Sequence, residues 1–173
     1  MAEILDTDWA YAAGFVDGEG CIAIGRSFEP KRGRFYYSVQ VVVSNRDRGV
    51  LDWMLGLWGG WIVASSRATL GTKARPTWNW RCPTGQSAIP FLRGVRPYLR
   101  IKVQQCDNAL EMIELSRRSH RTLGPYRLPK DWLDEQEALY WKQREFNHRG
   151  TDEFVKKPMH SPRKIHKERS AEA

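Results

Sequence analysis

The 173-residue chain predicts an α+β domain, a four-stranded antiparallel sheet flanked by helices. Three observations predict it. Four stretches, Cys21–Arg26, Arg34–Ser44, Trp61–Arg67 and Thr77–Cys82, alternate apolar with polar residues, and their connections suit hairpins. Elsewhere the apolar spacing turns helical. Hydrophobic residues make up 41% of the chain, enough to pack a core without disulfides.

The first helix is expected over Asp8–Asp17, ending at Gly18, with the Thr7 hydroxyl capping its free N–H groups. Ala10, Ala13, Gly14 and Asp17 recur at i, i+3, i+4 and i+7 and share one face. That face is almost bare backbone, which a helix offers where another backbone must approach closely. Trp9, Ala12 and Val16, with Tyr11 and Phe15 beside them, supply an apolar flank for the core. Gly18 and Gly20 release the chain into the first strand, where Ile22 and Ile24 oppose Cys21, Ala23 and Gly25. Ser27–Gly33 reads as a polar, turn-rich loop. In Arg34–Ser44, Tyr37, Val39, Val41 and Val43 should face the core, and Tyr36, Ser38, Gln40, Val42 and Ser44 should face away.

Asn45–Arg48 leads into a helix, Gly49–Leu57, stopped by Gly59 and Gly60. Trp61–Arg67 and Thr77–Cys82 follow as strands around a loop, Ala68–Pro76, with Trp78 and Trp80 inward and Thr77, Asn79 and Arg81 outward. Further helices are expected over Gly85–Gly94, from Pro97 to about Arg118, and over Asp131–Phe146, with a break at Gly124–Pro125. The organisation is one domain, 1–147, and a basic tail rich in His, Pro and Ser, 148–173.

The charge of +8 is unevenly distributed. Residues 1–25 carry five acids and no Lys or Arg, whereas residues 26–105 carry 14 Lys and Arg against 3 acids. A basic surface around a small acidic focus suits a metal-dependent nuclease, in which cations attract phosphates and carboxylates hold a metal ion. The polar strand faces bear types that hydrogen-bond base edges or phosphates: Ser27, Arg34, Tyr36, Ser38, Gln40, Ser65, Arg67, Lys73, Arg75, Thr77, Asn79 and Arg81. A solvent-facing sheet also alternates in this way, and the sheet alone does not decide between the two. The charge distribution and the motif described next favour double-stranded DNA.

Other chemistries lack their residues. The three cysteines, Cys21, Cys82 and Cys106, are far apart and form no CxxC pair, which points to a reduced, intracellular protein. The four histidines have no HExxH spacing, and neither a GxGxxG nor a Walker A string nor a GxSxG elbow occurs. No apolar run spans a membrane, and the acidic start is unlike a secretion or transit signal, so a cytoplasmic location is expected in a prokaryote.

Ala12–Gly20, AAGFVDGEG, places one acid, Glu19, between two glycines at the helix end. The string resembles the signature of the LAGLIDADG homing endonucleases, departing from it at Ala12 and at Glu19, where Asp is commoner. The resemblance covers about Asp8–Leu115. It implies a saddle-shaped sheet lying along the major groove, and metal binding by Glu19 and the Gly18 carbonyl. The segment Val43–Arg48 resembles the part giving a polar amide and a basic residue, which assigns Asn45 to ordering the attacking water and Arg48 to the basic role. PYLRIK resembles the segment ending in the active-site lysine, here Lys102. Phosphate attraction is the simpler role for Arg48 and Lys102. For Asp17 the reading is structural, a carboxylate tying helix ends together.

One chain supplies one such acid, so pairing of two bare helix faces is expected, with Ala10, Ala13, Gly14 and Asp17 at a homodimer interface. Two facing carboxylates repel unless a divalent cation lies between them. The expected enzyme is an intron-encoded, Mg²⁺-dependent endonuclease cutting a near-palindromic duplex of about 20 base pairs. Mn²⁺ is expected to substitute, and Ca²⁺ to bind without supporting cleavage. The rival functions are an RNA maturase acting on its own intron RNA and an inactive DNA-binding regulator. Retention of Glu19 and Lys102 argues against the regulator.

Overall fold

A computed structural model describes residues 3–31, 33–65, 76–123 and 129–148. The elements are α1 (Asp6–Glu19), β1 (Gly20–Glu29), β2 (Arg34–Asn45), α2 (Arg48–Trp58), β3 (Trp61–Ala64) and β4 (Trp78–Arg81), then α3 (Ile89–Val95), α4 (Val103–Leu123) and α5 (Lys130–Phe146). The strands form one antiparallel sheet in the order β1-β2-β4-β3. Ile22, Ile24, Val39, Val41, Val43 and Trp80 point from its inner face into the core. Ala12, Ala13 and Val16 of α1, Leu51 and Met54 of α2, Phe91 and Leu92 of α3, and Met112 and Leu115 of α4 close that core.

Several boundaries differ from expectation. The chain enters α1 at Leu5 and not at Thr7; the Asp8 carboxylate, reaching back to the Leu5 N–H at 3.0 Å, does the capping. The helix runs on to Glu19, because Gly20 can close against it: a Cβ there would lie 2.7 Å from the Val16 carbonyl oxygen. β1 continues to Glu29 through the expected loop, since Phe28 and Glu29 pair with Phe35 and Arg34 and the two phenylalanine rings meet edge to face at 5.4 Å. Pairing and ring contact there outweigh polar composition.

β3 is described only to Ala64, with Ser65 N–H bonding the Thr77 carbonyl at 2.8 Å. Gly60, at φ +91°, allows the Arg81 carbonyl to pass where a Cβ would stand. The helix expected from Gly85 begins as a 3₁₀ turn, Gly85–Ala88, before α3. The helix expected from Pro97 starts six residues later: Arg96–Tyr98 is a 3₁₀ turn, Leu99 is extended, and α4 opens at Val103. The Gly124–Pro125 break and almost all of the tail lie outside the described residues. No helix among the described residues is long and apolar enough to cross a membrane.

Two polar clusters seat α5. Gln143, 1% exposed, donates to the Ile22 carbonyl at 2.6 Å and accepts from Asn108 at 2.8 Å, and Asn147 donates to the same Ile22 carbonyl at 2.8 Å. Glu137 accepts from Arg26, Tyr37 and Trp141. The Arg26 guanidinium lies 4.4 Å from the Phe35 ring centroid and 4.8 Å from that of Tyr140. Burial opposes ionisation of Glu137, but the hydrogen bonds from Tyr37, Arg26 and Trp141 outweigh it and hold the carboxyl below the usual range. Burial, then the bond to Glu137, drives the Tyr37 phenol well above its usual range.

Candidate functional site

The C-terminal end of α1 gathers the motif residues. Its last turn carries Asp17 and Glu19 and no basic residue, although a helix C-terminus disfavours negative charge. Asp17 is satisfied by another part of the chain. Its carboxylate accepts from the backbone N–H groups of Arg100 (2.7 Å), Ile101 (3.2 Å) and Lys102 (3.0 Å), just ahead of α4. This explains the late start of α4, whose leading N–H groups are turned onto Asp17. Lys102, 5% exposed, donates its Nζ to the Asp17 carbonyl, so an ammonium is buried against the carbonyl end of α1.

Glu19 remains. Its carboxylate is exposed and has no hydrogen bond or ion pair among the described residues. Gly18 beside it is also exposed, and a Cβ there would meet nothing within 4 Å. A free carboxylate at the negative end of a helix, in open space, is a place where a cation would relieve repulsion. The donors are hard oxygens, which fit a cation such as Mg²⁺ that keeps several of its waters. No group of three or more His, Cys, Asp or Glu that could hold a metal ion occurs among the described residues. Burial pushes Cys82 and Cys106 up to about 12, so neither thiol supplies a thiolate at neutral pH.

The pairing of Gly20 with Val43 brings the end of β2 to the same end of the sheet as Glu19. Asn45 closes β2, and its Oδ1 accepts from the Asp47 N–H at 2.9 Å, a local turn that fixes the amide. Arg48 opens α2. It pairs with Asp52 at 3.4 Å and lies 4.6 Å from the Trp78 ring centroid, so its guanidinium is turned over β4. The structure therefore ties Lys102 directly to the end of α1, places Asn45 at the same end of the sheet, and engages Arg48 elsewhere.

The outer sheet face has two-residue periodicity. Ser27 pairs with Tyr36, Gly25 with Ser38 and Ala23 with Gln40. Val42 pairs with Arg81, and Ser44 with Asn79, the Ser44 hydroxyl bonding the Asn79 amide oxygen at 2.7 Å. Ser65 and Thr77 are half-buried and extend the β3–β4 pairing, and Arg34 opens β2 opposite Glu29. Arg67, Lys73 and Arg75 lie outside the described residues.

On α1 the exposed side is Ala10, Gly14 and Gly18 with Thr7 and Tyr11. Of the four residues expected at an interface, Ala10 and Gly14 lie on this side. Ala13 is fully buried because the subunit's own core takes it, and Asp17 is committed to the chain before α4. Two features went unread in the sequence. Arg26 falls on the Ile22 and Ile24 face by strict alternation and is drawn inward by Glu137. Trp61 and Val63, 45% and 36% exposed, put apolar groups on the outer face.

No family model and no curated protein matches the chain. Solved structures do. They first place it among homing endonuclease folds. The I-CvuI homing endonuclease, in complex with its target in the presence of Ca, has a TM-score of 0.65 at 19% identity over 87% of each chain. An archaeal intron-encoded homing endonuclease complexed with DNA has a TM-score of 0.66 at 16% identity, over 87% of this chain and 90% of that one. The LAGLIDADG homing endonuclease I-SmaMI, bound to cleaved DNA, has a TM-score of 0.63 at 17% identity, over 86% of this chain but 47% of that one. More particularly, then, the four-stranded sheet with its flanking helices is the LAGLIDADG homing endonuclease fold.

Proposed function

We propose that the chain is a site-specific DNA endonuclease that acts as a homodimer and hydrolyses both strands of a duplex with Mg²⁺. The observation that carries this reading is Glu19: a carboxylate without a partner, exposed at the closing turn of the signature helix, with Lys102 buried one turn away and a polar sheet face beginning beside it. In this reading Glu19 and the Gly18 carbonyl hold the cation, which supplies charge neutralisation at the scissile phosphate. Lys102 stabilises phosphoryl charge, Asn45 orders water through its amide, and Arg48 attracts the phosphate.

Dimerisation has two supports. The described residues offer one free motif carboxylate, Glu19. The contacting stripe is Ala10, Gly14 and Gly18, spaced four apart, the spacing at which small residues let helices approach closely. Residues 1–147 are then the catalytic domain, and the tail 148–173 adds basic charge. The ten residues of β1 span about 33 Å, or about 10 base pairs per subunit, giving about 20 for the dimer. The outer sheet residues, with Arg67, Lys73 and Arg75, make base and phosphate contacts. Encoding within an intron belongs to the same proposal.

The test is to select bound duplexes from a random pool with the full-length chain in Ca²⁺, then to add Mg²⁺ to the enriched sequence. Cleavage of both strands, absent without the metal and supported by Mn²⁺, is the expected result. An enriched duplex that stays intact in Mg²⁺ would reduce the protein to a DNA-binding regulator. A chain that enriches no duplex but enriches structured RNA from a parallel random RNA pool would be a maturase.

A further inference from the structure

We infer that Arg81 and Gln40 read two base pairs of fixed identity and spacing in each half-site: a G·C pair and, two base pairs further from the dyad, an A·T pair. This rests on reading the outer sheet face as the DNA interface. Four described arginines are engaged by carboxylates: Arg26 with Glu137, Arg48 with Asp52, Arg96 with Asp107 and Arg117 with Glu114. Arg81 is not. It stands on the outer face, half-exposed, without a hydrogen bond or ion pair among the described residues, between Val42 on one neighbouring strand and Trp61 on the other. Those two apolar neighbours offer it no acceptor, which leaves its fork free on that face. A guanidinium held this way matches the two acceptors of guanine in the major groove.

Gln40 is fixed differently. It lies two residues before Val42 on β2, opposite Ala23, and its amide leans over Gly25: a Cβ added there would lie 3.0 Å from Gln40 Nε2 and 3.3 Å from Ser38 Oγ. The missing side chain gives the amide room to lie along the face, with both its donor and its acceptor free. That pair of groups complements adenine. Two residues of strand rise about 6.8 Å, which matches two base pairs of duplex. The Val42–Arg81 row also contains Cys21, two residues after Glu19, whereas the Gln40 row lies two residues beyond it. Arg81 therefore reads nearer the dyad. Asn79, by contrast, already has its amide oxygen bonded to Ser44 and is a poorer adenine reader.

The experiment is the random-duplex selection in Ca²⁺, run with the native chain and with Arg81→Ala, Gln40→Ala and Gly25→Ala. The native chain should enrich G·C and A·T two apart in both half-sites, each preferred about 5- to 150-fold over other pairs. Arg81→Ala should erase only the inner preference and Gln40→Ala only the outer one. Gly25→Ala should weaken the outer preference alone, because its methyl displaces the Gln40 amide. A specific site without this pair at this spacing would overturn the inference while leaving the endonuclease reading intact, as would variants that weaken every sequence equally. Failure to enrich any duplex would overturn both.

Discussion

Glu19 and Asp17 sit two residues apart on one helix end, yet their surroundings give them opposite duties. Asp17 is saturated by three N–H groups, and Glu19 is empty-handed. Glu19→Gln keeps the shape and removes the charge. Binding to the selected duplex in Ca²⁺, followed by gel shift, should survive, while single-turnover cleavage in Mg²⁺ should be lost. Glu19→Asp shortens the arm by one methylene and should cut on the order of 100-fold more slowly, the usual consequence of a misplacement near 1 Å. Asp17→Asn puts an NH₂ where an oxygen accepts. It should lower stability by about 1–3 kcal/mol in urea unfolding, since charge-assisted bonds are lost and a donor faces a donor. Because the same bonds hold the backbone of Lys102, its cleavage rate should fall more than its affinity for DNA. A variant equally stable and equally active would show the clasp to be incidental.

At the scale of elements, the join between α5 and the sheet is electrostatic as well as apolar. Glu137 is depressed in the folded protein, so its contribution to stability is present above the ordinary carboxylate range and is lost as pH falls through that range and below. Thermal unfolding followed from pH 7 to pH 3 should show a steep acid limb that Glu137→Gln flattens, the variant being the less stable of the two at neutral pH. The sequence was legible wherever a local rule governed an element. Along Arg34–Asn45 the inner positions Tyr37, Val39, Val41 and Val43 came out buried, as two-residue spacing indicates, with Val42 on the outer face. It was illegible wherever a distant partner decided. Nothing near Phe28 announces that Phe35 will pair with it, and PYLRIK has helical spacing until Asp17, more than 80 residues earlier, captures its N–H groups. The site divides the same way. The glycine-flanked acid can be read from nine residues, whereas the engagement of Arg48 with Trp78 and the burial of Ala13 depend on packing that no local pattern carries.

For the whole molecule, the proposed interface lies on the exposed stripe of α1, which the fold of the single chain does not use. A Cβ at Gly14 meets nothing within 4 Å, so Gly14→Leu leaves the subunit unstrained and raises helix propensity by about 1 kcal/mol. Sedimentation should nevertheless show it as a monomer that no longer cuts, with thermal stability no lower than that of a native monomer. An active dimer of this variant would refute the proposed interface. A last consequence concerns β1, which with β3 forms the border of the sheet. The Ile22 carbonyl points away from β2 and is held by Gln143 and Asn147 from α5. Those two amides occupy a position that a strand from another molecule would otherwise take. The helix is thus a guard against runaway strand addition. A chain ending before Pro129 should grow into large β-rich aggregates by light scattering, where a truncation that merely loosened the core would give a soluble, partly unfolded monomer.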